Sequence, residues 1–266
     1  MNKRMAIVLI TIIILCTSYF IFHQYIKSNI FPIPNEKTIP FFENSKLISI
    51  KSGRRTANGL LINSGKKIVI MFHGNGSTIN SEKNIADIFV SNGFSVLLVE
   101  YPGYGISGKS DVSEKNIYQD SIILINYIQT HFNYSNTNIV LLGYSLGSSI
   151  VIDLSSKGIG SKNIIMSSFT SMDDMIALQS TKLIGTIFNT EKFNSIKKAS
   201  KINSPTIILH GNNDNYIPFK MSQELHKHIK NSILVPIQSR DHSKMYTDIS
   251  DSDWKIIFNF LKDGES

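Results

Sequence analysis

Cysteine is almost missing from this chain: Cys16 is the single one among 266 residues. That excludes an internal disulfide framework and a cysteine-rich metal centre, so the fold must stand on an apolar core, and neither a metal nor another cofactor is expected. Internal repeats and low-complexity tracts are also absent, which excludes solenoid and fibrous architectures. Acidic residues are missing between Glu43 and Glu82, where Lys46, Lys51, Arg54, Arg55, Lys66 and Lys67 stand. The net charge of +7 is otherwise spread along the chain, without aromatic-basic interleaving or a nucleic-acid motif, so nucleic acid is not an expected partner. The basic stretch reads as a solvated face, with attraction of anionic head groups or an acidic substrate as the alternative.

Charge is missing altogether from Met5 to Phe22, whose only polar interruptions are Thr11, Thr17 and Ser18. A helix of that length just spans a bilayer. Residues 1–25 therefore read as a transmembrane anchor, with a cleaved signal peptide as the alternative because Cys16-Thr17-Ser18 offers a small-x-small site. Continuation of the apolar run through Tyr19-Phe20-Ile21-Phe22 favours the anchor, and Leu15 excludes a lipoprotein reading of Cys16. Lys3 and Arg4 favour an inside amino terminus and an extracytoplasmic domain, against which Lys27 and Lys37 weigh. Cleavage would instead give a secreted or periplasmic protein. Pro32, Pro34 and Pro40 make residues 26–46 a stiff extended linker. The remaining residues, 47–266, suit one well-buried domain, since 42% of the chain is hydrophobic.

Within that domain the pattern alternates. Leu47–Ile50, Leu60–Ile62, Ile68–Phe72, Val96–Val99, Ile139–Leu142, Ile164–Met166, Thr206–Leu209 and Ile233–Val235 read as strands, several of them continuous apolar runs that suit parallel strands buried on both faces. Between them, helical spacing appears at Ile85, Ala86, Ile88 and Phe89, at Ile117 through Ile128 behind the cap Ser113, at Leu146 through Leu154, and from Trp254 to Leu261. The expected class is α/β, a mostly parallel sheet with helices on both faces. Residues 169–204 break the rhythm with Met172, Met175, Ile176, Leu178, Leu183, Ile184, Ile187 and Phe188, and read as a small lid or as short helices packed on the sheet edge.

Asn138 to Leu142 end at Gly143-Tyr144-Ser145-Leu146-Gly147, a nucleophile elbow in sequence form. A serine on a sharp strand-to-helix turn needs neighbours without Cβ atoms so that Oγ stands exposed. Alone the motif is weak, since a chain of this composition contains Gly-x-Ser-x-Gly by chance with a probability of roughly 0.1. A serine nucleophile also needs a base, an acid to orient it and donors for the oxyanion. His242, in Ser239-Arg240-Asp241-His242-Ser243 after a late strand, is the candidate base; His23, His131, His226 and His228 fit surface roles better. Asp214, in the Gly- and Asn-rich loop Gly211 to Pro218, is the candidate acid, with Asp173 and Asp174 as the alternative position. Asp241 reads as a tuning charge or an exposed one.

His73-Gly74-Asn75-Gly76, Tyr101-Pro102-Gly103-Tyr104-Gly105, the serine elbow, the Gly211 to Pro218 loop and His242 together resemble the α/β-hydrolase superfamily, in its serine aminopeptidase and monoacylglycerol-lipase-like branch, over roughly residues 47 to 262. The resemblance implies a triad in the order Ser145, Asp214, His242 and an oxyanion hole from the backbone N–H groups of Asn75 and Leu146. His73 and His210 are expected to organise their loops, and Glu100 stands where relatives carry Asp. The expected function is a membrane-tethered serine hydrolase acting on a small-molecule or lipid-like acyl ester. The alternatives are amide hydrolysis by a serine aminopeptidase, acyl transfer on the same triad, and a tethered interaction module without catalysis.

Overall fold

The computed structural model describes residues 3–108 and 110–263. The apolar runs form strands because each is covered on both sides. β1 (Ser45–Ser52), β2 (Arg55–Ile62), β3 (Ile68–Phe72), β4 (Ser95–Glu100), β5 (Ile139–Tyr144), β6 (Lys162–Met166), β7 (Thr206–Gly211) and β8 (Ser232–Ile237) make one sheet in the order β1-β2-β4-β3-β5-β6-β7-β8. Only β1 with β2, and β2 with β4, pair antiparallel; the other pairs are parallel. β3, β4 and β7 are buried at every residue, whereas β8, at the edge, is half-buried.

Register then sets the site. Phe72 pairs with Val99 on one side and Gly143 on the other, so the carboxyl ends of β4, β3 and β5 are level. Met166 is level with Leu209, and Gly211 with Ile237. The loops after these strands therefore open on one edge of the sheet. The chain leaves β3 towards β4 and later crosses back to β5, which makes β3 the switch point where α/β sheets form a crevice.

One face of the sheet is covered by α3 (Glu114–Phe132), α4 (Leu146–Ser156), α7 (Ser195–Ala199) and α8 (Phe219–His228) through Ile117, Leu124, Ile150, Ala199 and Leu225. The other is covered by α2 (Lys83–Ser91) and α10 (Asp251–Lys262) through Phe89, Trp254 and Ile257. Ser113 caps α3 as expected, accepting from Asn116 N–H. α10 begins before Trp254 because Ser250 and Asp253 form a capping box. The first strand pair turns at Gly53, whose φ is +63°, so Asn58 and Gly59 lie inside β2. The basic stretch does not form one face: Lys51, Arg54 and Arg55 lie at the hairpin beside the carboxyl end of β4, while Lys46, Lys66 and Lys67 lie at the opposite end.

At the amino terminus, α1 runs from Lys3 to Ile30, and its most apolar window has a mean hydropathy of 2.6 with no residue buried. Thr11 and Thr17 donate their hydroxyls to the carbonyls of Ile7 and Ile13, one turn back, so both threonines are satisfied within the helix. The helix continues past residue 25 because Ile26 and Ile30 pack into the core. From Phe31 to Asn44 the backbone carries no helix or strand. Glu36 in that stretch accepts from Thr78 Oγ1 at 3.0 Å and Asn80 Nδ2 at 2.7 Å, which holds it against the loop after β3. Residues 169–204 contain α5 (Met172–Gln179), α6 (Lys182–Phe188) and α7.

Candidate active site

Ser145 sits between β5 and α4 with φ +52° and ψ −114°, a backbone conformation unusual for a residue with Cβ. The glycines around it are required by contact: a Cβ on Gly147 would stand 2.0 Å from the Phe72 carbonyl oxygen, and one on Gly143 would stand 2.3 Å from the Gly147 oxygen. The turn is held by Ser145 N–H donating to Met166 O at 2.9 Å and by the Ser148 hydroxyl donating to Ser145 O.

Two other loops meet this turn. Asn213 N–H donates to Arg240 O, Asn212 N–H to Ile237 O and Ser239 N–H to Asn212 Oδ1, so the loop after β7 is zipped to the loop after β8. Gly211 allows the approach, since a Cβ there would stand 2.3 Å from Arg240 O. Asp214 and His242 are thereby brought together. His242 Nδ1 lies 2.7 Å from Asp214 Oδ2, and His242 Nε2 lies 3.1 Å from Ser145 Oγ. The Asp214 side chain is fully buried, and its burial opposes ionisation. Hydrogen bonds from His210, His242 and the Ile217 amide outweigh that and hold the carboxyl well below the usual carboxylate range. An ionised Asp214 requires Nδ1 of His242 to carry the proton, which leaves Nε2 as the acceptor facing the serine hydroxyl.

His210 does more than shape its loop. Its Nε2–H donates to Ile217 O at 2.9 Å and faces Asp214 Oδ2 at 3.3 Å, while Nδ1 accepts from the Ser222 hydroxyl at 2.7 Å. Asp214 Oδ1 accepts from the amides of Tyr216 and Ile217. The carboxylate is thus fixed from both oxygens. His73 is likewise structural: Nδ1–H donates to Gly74 O, Nε2 faces Glu100 Oε1 at 3.1 Å, and Tyr101 donates to its carbonyl. Asn75 Oδ1 accepts from Tyr104, which fixes the loop that carries the Asn75 amide. Asn75 and Leu146 border the same cavity as Ser145, and among the described residues neither amide has a hydrogen-bond partner.

The remaining expected residues lie elsewhere. Asp173 binds Lys192 and Asn189, and Asp174 accepts from Thr170 and Ser171, so both are committed to fixing residues 169–204. Asp241 accepts from the Lys244 amide at the start of α9 (Lys244–Thr247). His131, His226 and His228 bond within or beside their own helices. His23 Nε2 pairs with Thr190 Oγ1 at 3.0 Å, a link from α1 to residues 169–204. No group of histidine, cysteine and carboxylate residues able to hold a metal occurs among the described residues.

A cavity of about 300 Å³ opens beside Ser145. Phe169, Met172, Met175, Ile176 and Ile184 line one part of it. Phe22, Tyr25, Ile26, Asn29 and Ile30 of α1 line another, and sequence reasoning missed them. Their signal was an apolar stripe at 19, 22, 26 and 30 that outlasts the span needed to cross a bilayer.

Residues 63–191 match the family described as serine aminopeptidase, a segment that includes the elbow and the Asn75 loop. This match, over just under half of the chain, supports its placement in the α/β-hydrolase superfamily. A stretch of 125 residues is 32% identical to alpha/beta hydrolase domain-containing protein 17C of Mus musculus, covering 47% of this chain and 38% of that protein. The same figures hold for the human protein except that 36% of it is covered. The match thus spans well under half of these curated relatives. Among solved structures, an esterase of Pyrococcus furiosus superposes with a TM-score of 0.71 at 18% identity, covering 86% of this chain and 98% of that one. An α/β hydrolase of Vibrio vulnificus gives 0.69 at 22% identity, covering 82% and 81%. These structures share the α/β-hydrolase fold.

Proposed function

We propose that this α/β hydrolase is a membrane-tethered serine esterase that cleaves lipid-like acyl esters through an acyl-enzyme. The observation that carries the reading is the unbroken hydrogen-bonded chain from Asp214 through His242 to Ser145 at the wall of an apolar cavity. His242 Nε2 takes the Ser145 proton as Oγ attacks the ester carbonyl, and Asp214 stabilises the imidazolium that forms. The amides of Asn75 and Leu146 receive the developing oxyanion. His242 then protonates the leaving alcohol, and a water activated by the same nitrogen releases the acid. The apolar lining favours an acyl group over a charged peptide. The apolar α1 supports tethering by its length and composition. Fluorophosphonate labelling tests the nucleophile: the parent is labelled and Ser145→Ala is not. Equal labelling of the two would overturn the assignment.

A further inference from the structure

The apolar helix α1 is part of the cavity wall. Tyr19, Phe22, Ile26 and Ile30 recur at three- and four-residue intervals and so share one face. Ile26 and Ile30 are buried, Phe22 packs edge-on against Phe188 of α6 at 4.7 Å, and Tyr19 meets the same ring at 5.4 Å. Lys27 pairs with Asp111 at 3.2 Å, and His23 with Thr190. These contacts fix the last turns of α1 against the domain, so the helix is not a loose leash.

Its level relative to a bilayer follows from length. Met5 to Phe22, at ~1.5 Å rise per residue, covers most of a ~30 Å hydrocarbon core. The two turns from Tyr19 to Tyr25 then lie at the boundary between hydrocarbon and head groups, where aromatic rings concentrate. Beside it, Leu183 and Ile187 of α6 and Leu178 of α5 are 66%, 49% and 49% exposed. Such side chains, adjacent to a membrane helix, continue its apolar surface onto the domain. The carbonyl of an ester lipid lies at this same boundary, and Ser145 lines the cavity.

We infer that α1 is an acyl-specificity element: the acyl chain of a bilayer-resident ester enters the cavity from the hydrocarbon side and lies against Phe22, Ile26 and Ile30. The inference rests on the esterase reading for its substrate, and its test separates the two. In full-length protein in phosphatidylcholine vesicles, Ile26→Trp fills the wall and Ile26→Ala hollows it. With p-nitrophenyl esters, the ratio of kcat/KM for dodecanoate to that for butyrate falls roughly tenfold in Ile26→Trp, the loss expected when one to two methylenes are denied contact. The optimum moves to longer chains in Ile26→Ala. An unchanged chain-length profile in both variants overturns the inference while leaving the esterase intact. Binding of a fluorescent dodecanoic acid gives a readout free of chemistry. In a Ser145→Ala background it is saturable and weakens about tenfold on adding Ile26→Trp. That binding pattern, found together with a parent protein that fluorophosphonate does not label, sustains the wall and removes the esterase. Equal binding by the two proteins, or none, overturns the wall.

Discussion

Glu82, just before α2, is 1% exposed and receives the hydroxyl of Tyr246. Burial pushes its carboxyl up to about 7 against an ordinary 4.5, with the charge of His73 opposing the rise. The folded protein therefore keeps a proton on Glu82 that the unfolded chain has released between those pH values. Stability from this group is complete below about 4.5 and is lost as pH rises to about 7. Over the interval from 4.5 to 7 the loss is about 3 kcal/mol at ~1.36 kcal/mol per pH unit, and between pH 5 and 8 it is about 2–3 kcal/mol. Glu191, raised by burial, adds in the same direction. Asp214 acts oppositely, but its stabilisation is lost only as pH falls below its ordinary 3.8. Trp254, the single tryptophan, packs edge-on against Phe89 of α2 at 5.6 Å and reports unfolding of this face by fluorescence. Urea titrations of the full chain should give a lower unfolding free energy at pH 8 than at pH 5, and Glu82→Gln, which keeps the Tyr246 contact without the charge, should flatten the slope. Equal stability at the two pH values, or a slope retained in Glu82→Gln, refutes the reasoning.

Other perturbations follow from the site. Gly147→Ala sets a Cβ 2.0 Å from Phe72 O; a loss of about 3 kcal/mol in urea titration, together with lost fluorophosphonate labelling, is the expected outcome. Asp214→Asn keeps shape but lets His242 adopt the wrong tautomer, so kcat for a short ester should fall by about 10⁴ with little change in KM. His210→Ala leaves the Ser222 hydroxyl only the longer contact to Ser168 O at 3.4 Å and removes a donor facing Asp214; a loss of about 2 kcal/mol in urea titration is expected, against near-wild-type stability if that histidine is ornamental.

The parts of this fold that sequence reveals are those whose cause is local. β3, β4, β5 and β7 stand out as apolar runs because both faces are buried, and the elbow stands out because Gly143 and Gly147 meet backbone that a Cβ would strike. The loops that carry Asp214 and His242 are legible by their position after strands and by the resemblance. What is not legible depends on segments far apart in the chain. His23 meets Thr190 and Tyr246 meets Glu82 with no periodicity or motif to announce them. The basic stretch misleads for the same reason: residues close in sequence divide between the two ends of antiparallel strands. α1 is the clearest case, since hydropathy identifies an apolar helix but cannot tell that its last turns wall the cavity beside Ser145.

Trapping the acyl-enzyme tests the central claim most directly. Rapid quenching of the full-length protein mixed with p-nitrophenyl butyrate, followed by proteolysis and mass spectrometry, should show a butyryl group on the peptide that contains Ser145 and none on the same peptide from Ser145→Ala, whose turnover should be abolished. A butyryl group on another residue, or continued turnover by Ser145→Ala, would contradict the account.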